Sequence, residues 1–568
     1  MIPLQETIPE VLLHRYRETP EQVAVVLRLG IGERALTVRD LFEGAAGYAR
    51  EYQGVGARPG DVVIDLLAPG ADLLYAFLGA TLVGAVPTIL PFLTEKLDPE
   101  RYQESLDNLI RLTRPVALVA EPVFAAKLRA RFLDTGKVKA VLDPGPRAGG
   151  SPLPNPASWQ GLRVGTQSLA LLQHSSGTTG LQKGVALSHA AVFRQLSAYL
   201  PALHYSASDV VVSWLPLYHD MGLIAGFLLP LLAGGKLVLL SPFDWVRAPW
   251  SLLQAVSDHH GTLSWLPNFA YNFCASHVPE SELAGVDLSS WRAVINCSEP
   301  MVADSHRLFA KRFRANGLHD EALATCYAMA ENVFAATQGG IEQPVWVDRV
   351  DGHVLAGEGR AKPADAATAR TVEVVSAGPP LGNCQLGVVD AQGRPRADRE
   401  VGELVLHSDC MLQGYFNRPD ATAEALGDGW YRTGDLGYLA NGEVFITGRK
   451  KDLMIVGGKN IYPQDIEYLI NRVPGVHPGR AVVFGLFNPV MGTEEVAAVV
   501  EVDSQVSREE ARLSLAIRQA VATGSEVTLG PLKLVDERWL LKTSSGKIAR
   551  AANREKLLAE RDRTLGAT

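Results

Sequence analysis

"DVVIDLLAPGADLLYAFLGATLVGAVPTILP", residues 61–91, decides the fold. The runs 61–68 and 85–91 are short, apolar and rich in branched side chains, and the apolar stretch 70–84 between them has helical length and a glycine at each end. Strands that are apolar throughout, rather than alternating, are buried on both faces, as in a parallel sheet covered by helices. The same order recurs in "VALVAEPVFAAKLRARFLDTGKVKAVLD" (116–143) and in "KLVLLSPFDWVRAPWSLLQAVSDHHGTLSWLP" (236–267). The expected fold class is therefore α/β, with doubly covered, mostly parallel sheets.

From about residue 400 the texture changes to short alternating strands, and "YLANGEVFITG" (438–448) carries Asn441-Gly442 between two of them, a strong hairpin signal. After "GRKKD" (448–452) comes a smaller α+β unit, which predicts a large domain over 1–449 and a small one over 450–568. Within the large domain "GEGRAKPADAATART" (357–371) is the one stretch that reads as a loop of low hydrophobicity.

A chain of 568 residues exceeds what one core supports, and 47% hydrophobic with 20% charged residues is an ordinary globular composition. The formal charge of -8 comes without a basic run, which argues against a nucleic-acid partner. Five scattered cysteines have neither zinc-ligand spacing nor a disulfide framework, and the N-terminal residues lack the form of an export signal, so a cytoplasmic protein with reduced thiols is expected. The apolar stretches 73–92 and 223–240 are broken by Gly, Pro or Lys and read as buried core rather than membrane spans.

"QHSSGTTGLQKGV" (173–185) supplies hydroxyls from Ser175, Ser176, Thr178 and Thr179, glycine freedom at Gly177 and Gly180, and the cation Lys183. Such a loop suits phosphate, because glycines let backbone N–H groups converge, but it equally suits a plain turn. It is not a Walker sequence, and no dinucleotide fingerprint follows a strand. Further along, "WLPLYHDMGLI" places His219 on a turn, and "NCSEPM" offers Ser298, Glu299 and Pro300. "CYAMAEN" runs from the flat ring of Tyr327 through Ala328, Met329 and Ala330 to the carboxylate of Glu331. A ring can stack on a base, and a carboxylate beside phosphates can hold Mg²⁺. "WYRTGDLG" sets Asp435 where it could accept from ribose hydroxyls, and "KTSSGKIAR" presents Lys547 from a serine-glycine turn.

These six segments, in this order between residues 175 and 547, resemble the adenylate-forming superfamily of acyl-CoA synthetases, peptide-synthetase adenylation domains and luciferases. Within it the chain is most similar to the fatty acyl-AMP ligases, through "WLPLYHDMGLI", "PNFAYNF" (267–273), "SEP" (298–300), "NIYPQDIE" (460–467) and "TSSGK" (543–547). The segment "IEQPVWVDRVDGHVLAGEGRAKPADAATARTVEV", within 340–375, is similar in position to the insertion of those ligases, although a plain surface loop would also fit. The sequence departs from the superfamily at Ala328, Cys297, Gln182 and Leu541, which stand where glycine, glycine, proline and proline are usual.

The resemblance implies a small distorted β-barrel beside the parallel sheets and a mobile C-terminal lid. It also implies ATP and Mg²⁺ as cofactors, a fatty acid as substrate and an acyl carrier protein as acceptor. The loop 175–184 would hold the β and γ phosphates, Glu331 the metal, Tyr327 and the residues around it with 298–300 the adenine, and Asp435 with Arg449 the ribose. Lys547 would act at the reacting carboxylate and phosphate, with Asp452 as hinge and His219 at the carboxylate end of an acyl pocket containing Met221, Phe269 and Tyr271. The alternatives are a conventional acyl-CoA synthetase and a nucleotide-binding pseudoenzyme. An amino-acid-activating domain fits less well, because the region around "YHDMG" lacks the aspartate that would bind an α-amino group.

Overall fold

The computed structural model describes residues 6–30, 32–92, 99–145, 155, 158–174, 183–456, 459–488, 493–502, 510–525, 527–543 and 547–565. The deciding stretch forms strand Val62–Leu66, helix Ala71–Val83 and strand Val86–Ile89, the two strands lying parallel with Val62 opposite Val86. Gly84 ends the helix in the left-handed region at φ 77, its N–H turned back to the carbonyls of Ala80 and Thr81. Gly79 faces helix Val38–Gly54 so closely that a Cβ there would lie 2.6 Å from the Ala45 carbonyl oxygen. Strands Ala117–Ala120 and Ala140–Leu142 complete a parallel four-stranded sheet.

A second sheet has seven strands in the order Leu323–Thr325, Ala293–Asn296, Leu263–Leu266, Val210–Ser213, Lys236–Leu240, Val23–Leu29 and Gly32–Thr37. All neighbours are parallel except the final hairpin. The apolar stretch 223–240 is divided between a π-helical turn, Met221–Leu228, a short helix, Leu229–Ala233, and strand Lys236–Leu240. No helix among the described residues is long and apolar enough to cross a membrane.

Antiparallel strands Cys384–Val389, Gly402–Ser408, Trp430–Ala440, Leu426–Gly427 and Glu443–Arg449 form a third layer. Asn441 and Gly442, at φ 51 and 82, close the tight turn between Ala440 and its partner Glu443. In the segment 340–375, strands Val347–Asp351 and Thr371–Val375 pair antiparallel, joined by helix Gly352–Glu358 and an irregular stretch over 359–370. Val350, Leu355 and Val374 anchor it on Tyr438, Phe445 and Tyr462, apolar positions too widely spaced to give a sequence period. Beyond Met454, strands Val476–Asn488, Thr493–Val502 and Leu529–Val535 with helices Pro463–Asn471 and Glu510–Gly524 enclose a separate hydrophobic cluster.

Candidate active site

In an open sheet, ligands gather beyond the carboxyl ends of parallel strands. Four adjacent strands of the seven-stranded sheet deliver their following residues to one such edge: Tyr327 and Glu331 after Leu323–Thr325, Ser298 and Glu299 after Ala293–Asn296, Phe269 after Leu263–Leu266, and His219 and Met221 after Val210–Ser213. The last of these depends on a tight turn, in which a Cβ at Gly222 would lie 2.2 Å from the Pro216 carbonyl oxygen. Asp220 caps the π-helical turn by accepting from Met221 N–H at 2.8 Å. His219 Nδ1 lies 3.9 Å from Asp220 Oδ1, beyond hydrogen-bond range. The Ser298 hydroxyl donates to Met221 Sδ at 3.8 Å, which joins the histidine turn to the Ser-Glu-Pro loop.

Two backbone outliers shape this edge. Ser298 sits at φ 68, and Val333, a branched residue, sits at φ 63, ψ -54. Phe334 N–H donates to Asn332 C=O at 2.6 Å, so Asn332-Val333-Phe334 is a γ-turn of the rare, strained hand. Strain of this kind costs on the order of 1–3 kcal/mol and persists only where neighbours enforce it. Here the buried Asn332 side chain does so, donating to Ala335 C=O at 2.7 Å and accepting from the Ser408 hydroxyl at 2.5 Å. The turn fixes the direction of Glu331, whose Oε1 accepts from Tyr415 Oη at 2.8 Å. Burial raises the Glu331 carboxyl above its ordinary range, and the Tyr415 hydroxyl opposes that shift by favouring the anion.

The antiparallel layer contributes Asp435 and Arg449, which stand directly opposite each other in register. Asp435 Oδ2 accepts from the Tyr327 hydroxyl at 2.6 Å and Oδ1 lies 3.2 Å from Arg449 Nε. Tyr327 is thus tied by its hydroxyl to the residue read as the ribose acceptor. Lys183 leads into strand Gly184–Ser188, its ammonium 4.7 Å from the centre of the Tyr415 ring. The loop residues Ser175, Ser176, Gly177, Thr178, Thr179 and Gly180 lie outside the described residues.

Lys547 comes from the other end of the chain, and its Nζ donates to the Ser298 carbonyl oxygen at 2.6 Å. Its turn is closed by Thr543 N–H to Lys547 C=O at 2.7 Å and Ala549 N–H to Leu541 C=O at 2.9 Å. The fully buried Asn553 clamps the base of the turn, accepting from Leu541 N–H at 2.8 Å and donating to Leu541 C=O at 2.8 Å. A proline at 541 would have no N–H to offer, so the unusual Leu541 is matched to Asn553. Glu299 accepts from Phe269 N–H at 3.0 Å; burial raises its carboxyl, and the positive charge of Lys547 works against that rise. Asp452 Oδ2 is 3.7 Å from Arg550 Nε, and Arg550 Nη1 is 2.5 Å from Glu467 Oε1.

Beside the Ser-Glu-Pro loop lies an aromatic wall. The Trp214 and Trp245 rings stack at 3.6 Å, with Phe269 edge-on to them at 6.2 and 6.0 Å. Tyr271 is not part of this wall. It is fully buried between His306 and Phe309, its hydroxyl donating to Val294 C=O at 2.9 Å. Residues two apart on helix Asn268–His277 point to different sides, so Phe269 and Tyr271 pack against different neighbours. Tyr415, Asn332, Asn553 and Trp245 were not singled out in the sequence, where each reads as an ordinary core or helix residue. Among the described residues no three His, Cys, Asp or Glu side chains cluster as metal ligands.

The long-chain-fatty-acid--AMP ligase FadD26 of Mycobacterium marinum is 30% identical over 96% of this chain and 96% of its own. The medium-chain-fatty-acid--[acyl-carrier-protein] ligase JamA of Moorena producens is 33% identical over 70% of this chain and 69% of its own. A solved structure from studies of fatty acyl-adenylate ligases of E. coli and L. pneumophila superposes with a TM-score of 0.87 at 27% identity, covering 99% of both chains. Residues 12–416 match the AMP-binding enzyme family, and the chain belongs to it.

Proposed function

We propose that this protein activates a fatty acid with ATP to an acyl adenylate, releasing pyrophosphate, and passes the acyl group to the phosphopantetheine thiol of an acyl carrier protein, releasing AMP. The observation that carries the reading is the ammonium of Lys547, held on the Ser298 carbonyl at the edge where Tyr327, Glu331 and Met221 converge. In the first step a carboxylate oxygen bonds to the α-phosphorus while the bond to the β-phosphate oxygen breaks. Two anions meet, so alignment and charge neutralisation matter more than proton transfer.

Tyr327 and residues 298–300 would hold adenine. Asp435 keeps acceptor capacity for ribose hydroxyls, because each carboxylate oxygen can take a second donor beyond Tyr327 and Arg449. Glu331 is a hard oxygen donor within the same frame as Lys183 and fits Mg²⁺, which when bound would neutralise phosphate charge. Lys547 would meet the charge that grows between carboxylate and α-phosphate. Residues 450–568 would act as the lid that carries it, hinged at Asp452, with 1–449 as the body and 340–375 as the insertion. The aromatic wall of Trp214, Trp245 and Phe269, with Met221, would suit an apolar acyl chain, with His219 at its carboxylate end. All five cysteines are free thiols, in keeping with a cytoplasmic enzyme.

The acceptor assignment draws support from the similarity to JamA, a carrier-protein ligase by name. The test is ATP-pyrophosphate exchange over a panel of fatty acids, followed by a choice between coenzyme A and a holo carrier protein. Exchange with transfer to the carrier is expected. Robust acyl-CoA formation overturns the acceptor, and no exchange with any acid overturns the activity.

A further inference from the structure

We propose that Tyr415 is a positioning residue for the triphosphate: its hydroxyl fixes the Glu331 carboxylate while its ring holds the Lys183 ammonium, so that one side chain sets the spacing of two opposite charges. The proposal rests on the ATP-activating function above and adds a residue to it. Tyr415 is buried in a two-residue strand, Gly414–Tyr415, opposite Val185 in the strand that Lys183 leads into. The backbone around it is stitched to both clients. Phe416 N–H donates to Gly184 C=O at 2.7 Å, Gln413 N–H to Ala186 C=O at 2.9 Å, and Leu412 N–H to Glu331 C=O at 2.8 Å. From this anchored backbone Tyr415 Oη reaches Glu331 Oε1 at 2.8 Å and lies 3.3 Å from Tyr431 Oη, while its ring centre is 4.7 Å from Lys183 Nζ.

The two contacts are separable. A hydroxyl donor to a carboxylate is a charge-assisted bond, whereas the ammonium is attracted by the ring face alone. Tyr415→Phe removes the first and keeps the second; Tyr415→Leu removes both. In Tyr415→Phe the Mg²⁺ concentration giving half-maximal exchange should rise about tenfold. Its kcat at saturating Mg²⁺ should recover, and calorimetric ATP affinity in EDTA should stay within about twofold of wild type. Tyr415→Leu should in addition weaken ATP binding in EDTA by about fivefold, as expected from loss of one cation–π contact. If the hydroxyl acts through Glu331, Tyr415→Phe added to Glu331→Gln should change calorimetric Mg²⁺-ATP affinity no further than Glu331→Gln alone.

The proposal is overturned if Tyr415→Phe leaves the Mg²⁺ dependence unchanged, if its effect adds in full to that of Glu331→Gln, or if Leu and Phe bind ATP equally in EDTA. Should Tyr415→Leu fail to fold by thermal melting, the Phe variant and the Glu331 cycle still decide. Should the wild type exchange pyrophosphate with no acid, the proposed activity fails while calorimetry still reads Tyr415.

Discussion

Replacing Lys547 by alanine separates the chemical step from nucleotide binding. In the structure its ammonium donates to the Ser298 carbonyl oxygen across the chain, at 2.6 Å. A hydrogen bond from a charged donor contributes about 1.5–3 kcal/mol when buried, and partial exposure here brings that to about 1 kcal/mol of lid docking. The reacting complex is different, because negative charge concentrates between the carboxylate and the α-phosphate, and withdrawing one preorganised donor from such a centre costs about 3–4 kcal/mol, or 10²–10³ in rate. Tyr327, Asp435 and Arg449 hold one another without Lys547, so ATP affinity should change by less than about fivefold, the equivalent of the lost docking contact. The assay is ATP-pyrophosphate exchange at saturating acid, with calorimetric ATP binding on the same preparation. Exchange within tenfold of wild type, or ATP binding that falls in parallel with exchange, would refute the assignment.

Other substitutions test the supporting frame. Asn553→Ala removes the two hydrogen bonds that Asn553 makes with Leu541 and leaves the Leu541 N–H unpaired, so exchange should fall about tenfold while ATP binding holds; unchanged exchange would mean the turn needs no clamp. Tyr327→Phe removes one donor to Asp435 and should raise KM for ATP about tenfold with little change in kcat, read from initial rates of adenylate formation. His306, whose Nε2 is 2.9 Å from the Asn296 amide nitrogen, is pulled down to about 4 by burial. Between the ordinary value near 6.5 and that level the unfolded chain binds the proton and the folded one does not, so this contribution is complete above 6.5 and is lost as pH falls. From pH 7 to pH 5 wild type should lose about 2 kcal/mol more stability in urea than His306→Gln; equal losses would show that the ring titrates normally.

Much of the frame was legible in the sequence because its causes are local. The unbroken apolar runs around 61–91 could be satisfied only by a covered parallel sheet, and Asn441-Gly442 offered the two positive φ angles that the hairpin needs. The segments bearing His219, Phe269, Ser298 and Tyr327 were legible for a related reason: each follows a strand of one sheet, so their order in the chain reappears as neighbours along one edge, whereas Asp435 and Lys547 come from elements outside that sheet. Tyr271 is harder to place, because residue type alone does not separate a pocket lining from core. Counting two positions along helix Asn268–His277 from Phe269 would have turned it to the other face.

Tyr415, Asn332 and Asn553 escaped for a different reason. Asn332 and Asn553 act by satisfying backbone groups, and Tyr415 by orienting charges that come from distant segments. Lys183 and Glu331 are 148 residues apart in the numbering, yet Tyr415 touches both, and its own position depends on pairing with Val185. No local period records such a triangle, because periodicity marks which face of an element is apolar and says nothing of where a single phenol points. A signal was nonetheless present in Leu541. A departure from proline restores an N–H, and a restored N–H beside a buried turn requires an acceptor nearby. Following that requirement from Leu541 leads to the carboxamide of Asn553, twelve residues on and on the first turn of helix Arg550–Leu565. Positions where a donor appears against the expected residue are therefore where sequence can point to a clamp, and Tyr415, which replaces no expected residue, could be found only in three dimensions.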